Sequence, residues 1–490
     1  MQSAIRVLKF GGTSMGSFRA MQRCAEIILG YTALPHHIPV SDSAMCDTVC
    51  PDTVRWAVVV SAVAGVTDAL AKSCTGVASE IFADISRKHK NIIAECGFYF
   101  GLEPECIEQF CQTELDPLLF RLEQILAAAS RADHALAECL AMGEKLSSCI
   151  FAFVLQQNLK NVLPQNPPMP VTVRGETLFS SDDNYLEARL DFAASRKQIK
   201  EHLYRIWQEN YLPVIAGFTA ADAEGRPTLL GRGGSDYSAA IVAAALELPT
   251  LDIWTDVAGI YSGDPRIVPH AKLWGQLDFS LVCEMAYSGA KVVHPKSISI
   301  ALQNQVAVIV RSTFTPQEKG TLITPHPSPA NSPKIAGFVL SNDNLLLHME
   351  NPNMLEGEGY IAQIAEVVHR QEIPIDVCAT SETSFSFSIH HDDCNPKLLE
   401  DLARIGEIRA IRELYKLCCI GKNIGCEPRF VAELLLQCSD IRIQTISIGA
   451  SHTNVTILFN FHDGVEPGSA AVELLQRLHA YFLEGDQESC

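Results

Sequence analysis

The N-terminal part of the chain alternates short apolar runs with helical patterns. Residues 5–10 alternate and run apolar into the glycine pair at 11–12, which predicts a strand, and the continuous apolar run over 56–60 is typical of a strand buried on both faces of a parallel sheet. Helical periodicity follows over 18–29, and Ala- and Leu-rich helical patterns dominate 69–157. Further strand patterns lie at 213–218, 228–230, 250–254 and 306–310. This alternation predicts an α/β domain with a mostly parallel, helix-covered sheet.

The pattern changes after a proline-rich stretch. Four prolines lie between Thr324 and Pro333, and they indicate a stiff linker. Beyond it, the order strand, Gly-containing turn, helix, strand, strand occurs from Leu345 and again from Leu417. An internal repeat of about seventy residues predicts two small βαββ-type modules.

Composition narrows the classes of protein. A chain of 490 residues suggests roughly two to four domains. The net charge of -19, from 38 Lys+Arg against 57 Asp+Glu, argues against a nucleic-acid or anionic-membrane surface. No apolar run reaches membrane-span length, and the start enters a strand directly, so we expect a cytoplasmic protein. The 17 cysteines are odd in number, which favours reduced thiols.

Two glycine-rich loops each join a short apolar strand to a helix. The first is 9–14, Lys-Phe-Gly-Gly-Thr-Ser, and the second is 231–236, Gly-Arg-Gly-Gly-Ser-Asp. Glycine lets backbone N–H groups approach anionic oxygens, and the following helix adds the positive end of its dipole. Both loops are therefore candidates for binding phosphate or carboxylate.

Side chains near these loops supply candidate chemistry. Lys9 is suited to meet charge on a phosphoryl group in transfer, although a solvated lysine explains the isolated motif equally well. Arg232 has the planar fork that binds carboxylates, and Ser235 stands at a predicted helix N-cap. Asp236 is placed to order Lys9 or a metal-bound water. Glu144 stands out as a carboxylate in an apolar helical segment.

Two further segments extend the candidate site. Residues 255–266 follow a buried strand and so lie at a strand's carboxyl end, where α/β sheets bind ligands. This position favours a rim for adenine and phosphate. Lys291 is a second candidate phosphate lysine, with surface charge as the alternative interpretation, and His294 before a proline is interpreted as structural.

Two other patterns are weaker. Residues 357–362 fit the dinucleotide pattern G-x-G-x-x-G/A, and Asp376 lies about twenty residues on. We discount dinucleotide binding because the repeat is too small to continue with another helix and parallel strand. The segment 31–55 contains histidines and cysteines, but their spacing does not match common zinc motifs, so a surface insertion is favoured.

Taken in order, these motifs resemble those of the aspartokinases, the amino-acid-kinase family members that phosphorylate the side-chain carboxylate of L-aspartate. The matching segments are 9–14, 60–62, 65–67, 143–144, 217–218, 230–236, 255–266 and 284–295. Several motifs in the right order are far more specific than any one. The repeats are similar to two ACT modules, through 353–354, 359–360, 375–376, 381–382, 447 and 451–454.

The resemblance implies an amino-acid-kinase fold followed by two ferredoxin-like βαββαβ ACT modules. The implied boundaries are a catalytic domain at 1–324, a linker at 325–336, and ACT modules at 337–412 and 413–490. Two family features are altered: Thr172 stands at the family's usual aspartate, and Ala258 replaces a frequent aspartate.

The resemblance also implies roles for individual residues. The catalytic residues are Lys9 and Asp236, with Asp236 organising Lys9. The substrate-binding residues are Thr13, Ser14, Glu144, Arg232 and Ser235. The ATP-binding residues are Lys9, Gly11, Gly12, Thr255, Asp256, Tyr261, Arg266 and Lys291. The implied cofactors are ATP and Mg²⁺, without a resident metal site.

The chemistry agrees with this assignment. A substrate carboxylate with a pKa of about 4 is already an ionised nucleophile at neutral pH, so no general base is needed. Catalysis then reduces to alignment and charge neutralisation. In this scheme Glu144 pairs with the substrate's ammonium, which explains a carboxylate in apolar surroundings.

The ACT modules imply regulation. Modules of this type resemble amino-acid sensors that pair between subunits, so we expect at least a homodimer. The implied effector residues are Met354, Gly359, Tyr360, Asp376, Ser381 and Glu382. L-Lysine is favoured over L-threonine because an acidic pair suits its ammonium groups. We expect a feedback-regulated enzyme at the head of lysine, diaminopimelate, threonine and methionine synthesis. We expect it to be monofunctional because the chain ends too early for an appended homoserine dehydrogenase.

Two alternatives remain open. Another amino-acid kinase, acting on N-acetylglutamate, glutamate or UMP, would keep the ATP half but would need neither Glu144 opposite Arg232 nor two ACT modules. A catalytically silent amino-acid sensor would keep the ACT repeat and lose Lys9 or Asp236, yet both are present.

Overall fold

The computed structural model describes residues 5–33, 54–73, 78–128, 132–163, 167–290, 293–325, 327, 333–351, 359–462 and 464–484. Among them, none of the helices combines the length and the apolar character needed to cross a bilayer. Lys291, Met354 and most of the predicted insertion at 31–55 lie outside these ranges, so the roles assigned to them stay predictions.

Strands and helices alternate along much of the described chain. The strands are β1 (Ile5–Phe10), β2 (Arg55–Val60), β3 (Met169–Val173), β4 (Ser180–Ser181), β5 (Leu190–Asp191), β6 (Tyr211–Ala216), β7 (Thr219–Ala221), β8 (Pro227–Leu229), β9 (Thr250–Thr255), β10 (Gln276–Asp278), β11 (Ala307–Ser312), β12 (Thr321–Thr324), β13 (Ile335–Glu350), β14 (Cys378–Thr380), β15 (Ser384–His390), β16 (Glu407–Gly421), β17 (Ile441–Ile448) and β18 (Asn454–Phe461). The helices are α1 (Phe18–Ala33), α2 (Val66–Lys72), α3 (Ala78–Phe100), α4 (Pro104–Phe110), α5 (Asp116–Ala128), α6 (Asp133–Val162), α7 (Phe192–Gln208), α8 (Gly234–Ala245), α9 (Phe279–Tyr287), α10 (Pro295–Gln303), α11 (Tyr360–Arg370), α12 (Pro396–Ala403), α13 (Pro428–Gln437) and α14 (Pro467–His479).

The chain forms two compact units. The first unit comprises residues 1–260 and 292–327, and the second comprises residues 261–291 and 328–490. The segment 261–291, which the resemblance assigned to the catalytic domain, therefore groups with the C-terminal modules. Hydrogen bonds explain this grouping, because Trp274 Nε1 donates to the Ala336 carbonyl and Phe338 N–H donates to the Ser262 carbonyl.

A largely parallel sheet forms the centre of the first unit. Seven of its strands, those of the first unit, follow the order β12-β11-β9-β1-β2-β6-β3, and each pair from β11 to β3 is parallel. Among these seven strands, β12 runs antiparallel to its neighbour β11. β2 and β9 are buried along most of their lengths, as expected for strands covered by helices on both faces. The predicted α/β fold class is confirmed.

Helix α6 places a polar residue within this apolar core. Phe151 on α6 packs against Phe10 of β1, which in turn stacks on Trp254 of β9. Gly143 allows the close approach, since a Cβ there would lie 2.9 Å from the Ala62 Cβ. The next residue, Glu144, is consequently held in the interior against the loop that follows β2.

The second unit contains an antiparallel sheet in the order β14-β15-β13-β16-β18-β17. One apolar core lies under α11 and α12, and a second lies under α13 and α14. The long strands β13 and β16 run through both, so Phe338 belongs to the second core while Leu345 belongs to the first. The predicted βαββαβ order is present from β13 to β16, whereas β16 to α14 follow the order βαββα among the described residues. The predicted boundary between 412 and 413 falls inside β16.

Candidate active site

The parallel strands of the first unit end at one edge of the sheet, where their loops lie side by side. Gly11 N–H donates to the Trp254 carbonyl at 3.0 Å, and Ser61 N–H donates to the Phe10 carbonyl at 3.1 Å. Gly217 N–H donates to the Val60 carbonyl, also at 3.1 Å. The first glycine loop therefore lies between the loops that follow β9 and β2, at the edge where parallel sheets bind ligands.

Lys9 and Asp236 form an ion pair at this edge. Lys9 Nζ lies 2.5 Å from Asp236 Oδ1, and the side chains are only 9% and 13% exposed. A lysine is rarely this buried without a partner, because desolvating an ammonium is costly. The structure thus brings together two residues that are far apart in sequence, and their catalytic roles stay predictions.

The second glycine loop brings the start of α8 against the sheet. Gly233 has a left-handed φ of 67°, and a Cβ there would lie 2.2 Å from the His294 Cβ. The N-cap of α8 is Gly233, so the prediction that Ser235 is the N-cap is wrong. The left-handed glycine starts the helix two residues earlier, and Ser235 lies in its first turn beside Gly217.

Glu144 is buried with one carboxylate oxygen available. Its Oε1 accepts a hydrogen bond from Ala62 N–H at 3.2 Å, while its Oε2 has no hydrogen-bond partner among the described residues. Burial raises the pKa of Glu144 to about 8, against the opposing effects of the Ala62 N–H group and the Lys9 charge. Glu144 is therefore a carboxyl group that favours ionisation only when a cation approaches it.

The first glycine loop contains predicted substrate residues in different settings. Ser14 is buried, and its Oγ forms a 2.7 Å hydrogen bond with Oγ1 of Thr313, which follows β11. Thr13 is exposed, and a Cβ on Gly12 would lie 3.2 Å from the Ala62 carbonyl oxygen. Ser14 thus fastens the loop to the strand-end region, a contact the sequence analysis did not identify.

The other predicted nucleotide and substrate residues occupy different settings within their own units. Arg232 is exposed on the second glycine loop, and Thr255 Oγ1 donates to Asp256 Oδ1 at 3.2 Å at the end of β9. Tyr261 and Arg266 belong to the second unit, where Arg266 Nη2 lies 2.6 Å from Asp264 Oδ2. Their predicted roles in ATP binding stay predictions.

Lys296 is a cation that sequence reasoning missed. A Cβ on Gly231 would lie 3.2 Å from Lys296 Nζ, which places this ammonium beside the second glycine loop. Gly231 itself has a φ of 77°, a conformation that suits glycine. The only sequence signal was its position directly after the His294-Pro295 pair.

One of the predicted effector residues of the second unit, Asp376, already takes part in an ion pair. Asp376 Oδ2 lies 2.6 Å from Nζ of Lys416, a residue of β16 that the sequence analysis did not single out. Gly359 is the left-handed N-cap of α11, and the following Tyr360 is buried, with no hydrogen-bond partner for its hydroxyl among the described residues. Ser381 Oγ contacts Ser384 Oγ at 2.7 Å, and Glu382 is exposed.

Two motif segments quoted for the resemblance meet within the second unit. Glu284 on α9 accepts hydrogen bonds from Ser451 at 2.8 Å, Thr453 at 3.2 Å and Asn454 at 2.5 Å. The three donors come from the turn between β17 and β18 and the start of β18. Glu284 therefore fastens α9 to the ACT sheet, a role that sequence spacing alone did not reveal.

Comparison with known proteins identifies the family of the chain. The amino acid kinase family model matches residues 4–312. The lysine-sensitive aspartokinase 3 of Escherichia coli is 30% identical over 98% of this chain and 100% of its own length. A chloroplastic aspartokinase 3 of Arabidopsis thaliana is 28% identical over 98% of this chain and 82% of its own.

Solved structures give the same result. The crystal structure of E. coli aspartokinase III with aspartate and ADP, in the R-state, has a TM-score of 0.81 and 28% identity, and covers 98% of this chain and 99% of its own. The same enzyme with lysine and aspartate, in the T-state, has a TM-score of 0.74 and 29% identity, and covers 98% and 100%. The chain therefore belongs to the amino acid kinase family. Within that family it matches the aspartokinases end to end, which confirms the predicted aspartate kinase activity.

Proposed function

We propose that Lys9 and Glu144 perform the two central tasks when the γ-phosphoryl group of ATP is transferred to the side-chain carboxylate of L-aspartate. The observation that carries this proposal is the joint position of the Lys9–Asp236 ion pair and the partly unpartnered Glu144 at the carboxyl edge of one parallel sheet. Lys9 is a cation held in place by Asp236, and Glu144 is a buried carboxyl group that can receive a cation. This combination suits a substrate that carries opposite charges at its two ends.

Glu144 accounts for recognition of the α-ammonium. A buried carboxyl with a pKa of about 8 is mostly protonated at neutral pH, and an ammonium in contact with it shifts the balance to the ionised form. The pair then forms in a desolvated setting, where a charge-assisted hydrogen bond is strong. An N-acetylated acceptor has no ammonium and offers this group nothing.

Lys9 accounts for charge neutralisation at the transferring group. Asp236 holds the ammonium at the end of β1 beside Gly11, so little reorganisation is needed when the phosphoryl group arrives. The first turn of α8 adds backbone N–H groups and the positive end of its dipole. Because the aspartate carboxylate is already ionised, these groups need only align the reactants and balance charge.

ATP accompanied by Mg²⁺ fits this donor set. Mg²⁺ usually binds through substrate phosphates and keeps several waters, and the described residues contain no cluster of three or more potential protein ligands for a metal ion. Bound with the nucleotide, the ion would supply neutralisation of phosphate charge. The protein contributes Lys9, the loop amides and, as predicted from the sequence, Thr255 and Asp256.

The C-terminal modules support feedback regulation within the same proposal. We extend to this chain the lysine effector that the E. coli relative's complex contains, with Asp376, Ser381 and Glu382 as receptor residues. A homodimer formed through the ACT modules and a cytoplasmic location complete the proposal, and both rest on the sequence arguments.

Acyl-phosphate trapping tests the proposed reaction. Purified protein with ATP and Mg²⁺ is incubated with L-aspartate, L-glutamate or N-acetyl-L-glutamate, and the acyl phosphate is captured as a hydroxamate with hydroxylamine. We expect product from L-aspartate alone, suppressed by L-lysine more than by L-threonine. Product from N-acetyl-L-glutamate, or none from L-aspartate, would contradict the proposal and leave another amino-acid kinase or a silent sensor.

A further inference from the structure

Lys416 is a buried lysine in the module that is proposed to sense an amino acid. It lies on β16, its side chain is 8% exposed, and its Nζ is 2.6 Å from Asp376 Oδ2. In the sheet it is registered opposite Ser341 of β13 and Leu458 of β18. The ammonium therefore reaches Asp376 from the middle of the sheet, across 40 positions of sequence.

The surroundings of Lys416 are apolar. Its strand neighbour Leu414 and its cross-strand partner Leu458 belong to one small cluster with Leu346 and Val377. An ammonium in such a setting needs a partner, because burial without one costs several times the energy of an ordinary hydrogen bond. Asp376 supplies that partner. Asp376 directly precedes Val377 in the chain and therefore lies at the edge of this cluster.

Asp376 is also the carboxylate predicted to receive the ammonium of an effector. Its side chain is 42% exposed, so it remains open to solvent on the side away from Lys416. One carboxylate balances one ammonium, and a second ammonium brought to the same group is repelled by the first. Of the acidic pair Asp376 and Glu382, Asp376 is therefore already balanced by Lys416, whereas Glu382 is exposed.

We propose that Lys416 competes with the effector's ammonium for Asp376 and so sets the lysine concentration at which the enzyme is inhibited. This inference rests on the proposed lysine effector at the first ACT module. The ammonium group of the effector lysine can pair with Asp376 only in those molecules in which Lys416 is not paired with Asp376. If that form is about a tenth of the population, the apparent dissociation constant rises about tenfold.

A purely structural role makes a different prediction. If the pair only fastens β16 to the segment before β14, removing it lowers thermal stability and leaves the lysine response unchanged or weaker. If Lys416 competes, its removal strengthens the lysine response whatever happens to stability. The direction of the change in lysine affinity therefore separates the two roles.

The experiment uses the full chain and the substitutions Lys416→Met, Asp376→Asn and Lys334→Met. Lys334→Met is the matched control, because Lys334 Nζ pairs with Glu427 at 2.9 Å in the same unit without contacting Asp376. Lysine binding is measured by calorimetry, and inhibition is measured by hydroxamate formation relative to each variant's own uninhibited rate. We expect Lys416→Met to lower the dissociation constant and the half-inhibitory concentration about tenfold, Asp376→Asn to raise both, and Lys334→Met to match the parent.

Three results would overturn the proposal. One is a lysine affinity that is unchanged or weaker in Lys416→Met, and another is a lysine response that persists undiminished in Asp376→Asn. The third is the absence of lysine binding in both the parent and Lys416→Met. Calorimetry does not depend on turnover, so a protein without aspartate kinase activity would refute the proposed function separately while lysine binding still decides this inference.

Discussion

Two carboxylates of this chain are expected to receive an ammonium group, and they stand in opposite states. Glu144 in the first unit is buried and keeps an oxygen without a hydrogen-bond partner among the described residues. Asp376 in the second unit is partly exposed and already pairs with Lys416. Glu144 can bind an ammonium group without first losing another partner. Asp376 can bind one only after its ion pair with Lys416 has broken, so a higher ligand concentration is needed. The difference suits a substrate site and a regulatory site respectively.

The same comparison shows what burial does to charge. No cation among the described residues makes direct contact with Glu144, so burial of this carboxyl group raises its pKa. Around Lys416 the chain supplies an anion, so burial is expressed as an ion pair. Each of the following tests alters one side of this comparison.

The largest effect is expected from Lys9→Met, which removes the cation whose charge reaches Glu144. We expect kcat to fall at least about a thousandfold, as for loss of a group that stabilises charge in the transition state. Steady-state hydroxamate kinetics measure this change. Lys145→Met is the matched control, because Lys145 Nζ forms an equally short 2.5 Å pair with Glu176 and is similarly buried. Comparable losses in both variants would indicate a general requirement for buried ion pairs.

A smaller but still large effect is expected from Glu144→Gln, which keeps the shape and removes the anion. Loss of one partner from a desolvated charge pair costs about 3 kcal/mol, so kcat/KM for L-aspartate should fall roughly a hundredfold. Glu138→Gln on the same helix is the control, because Glu138 pairs with Arg121 at the surface. An unchanged KM for L-aspartate in Glu144→Gln would remove Glu144 from substrate binding.

Proton release sharpens the contrast further. At pH 7 the Glu144 carboxyl, with a pKa of about 8, holds its proton, and L-aspartate binding should expel about one proton per site. Calorimetry of L-aspartate binding in buffers of different ionisation enthalpy measures that number. Aspartate affinity should rise with pH up to about 8 and then level off with respect to this group. No proton release at pH 7, or equal release from Glu144→Gln, would contradict the assignment.

The smallest effect concerns the stability of the protein without substrate. The pKa of Glu144 is raised from 4.5 to about 8 in the folded state, so the folded protein binds this proton more tightly. The resulting stabilisation is complete below pH 4.5 and is lost as the pH rises through about 8. The Tm of Glu144→Gln relative to the parent should therefore increase between pH 5 and 8, measured by thermal denaturation. A difference that stays constant over this range would argue against a raised pKa of Glu144.

Sequence patterns predicted the parts of the molecule that are encoded locally. The apolar run over 56–60 could only be a buried strand, and it lies within β2. Lys9 lies near the end of β1, just before the first glycine loop, and Asp236 lies in the first turn of α8, just after the second. Parallel strands bring such strand ends and the loops that follow them to one edge of the sheet. Their pairing followed from that rule together with the family resemblance.

Other features depended on tertiary geometry that spacing does not encode. Lys416 and Asp376 meet because β16 lies beside β13 and close to the segment before β14, and no motif marks Lys416. The N-cap of α8 is Gly233 and not the predicted Ser235, because only a residue without a Cβ fits against His294 at that turn. Likewise, Glu284 accepts its three hydrogen bonds from residues of the turn between β17 and β18 and the start of β18, which are far from Glu284 in sequence.

The most direct test of the account compares an acceptor with an ammonium and one without. The kcat/KM for L-aspartate and for succinate, which lacks the α-ammonium, is measured for the parent and for Glu144→Gln by hydroxamate formation. The account predicts a strong preference of the parent for L-aspartate that falls roughly a hundredfold in Glu144→Gln. A preference for L-aspartate that is equally strong in both proteins would contradict the claim that Glu144 recognises the substrate's ammonium.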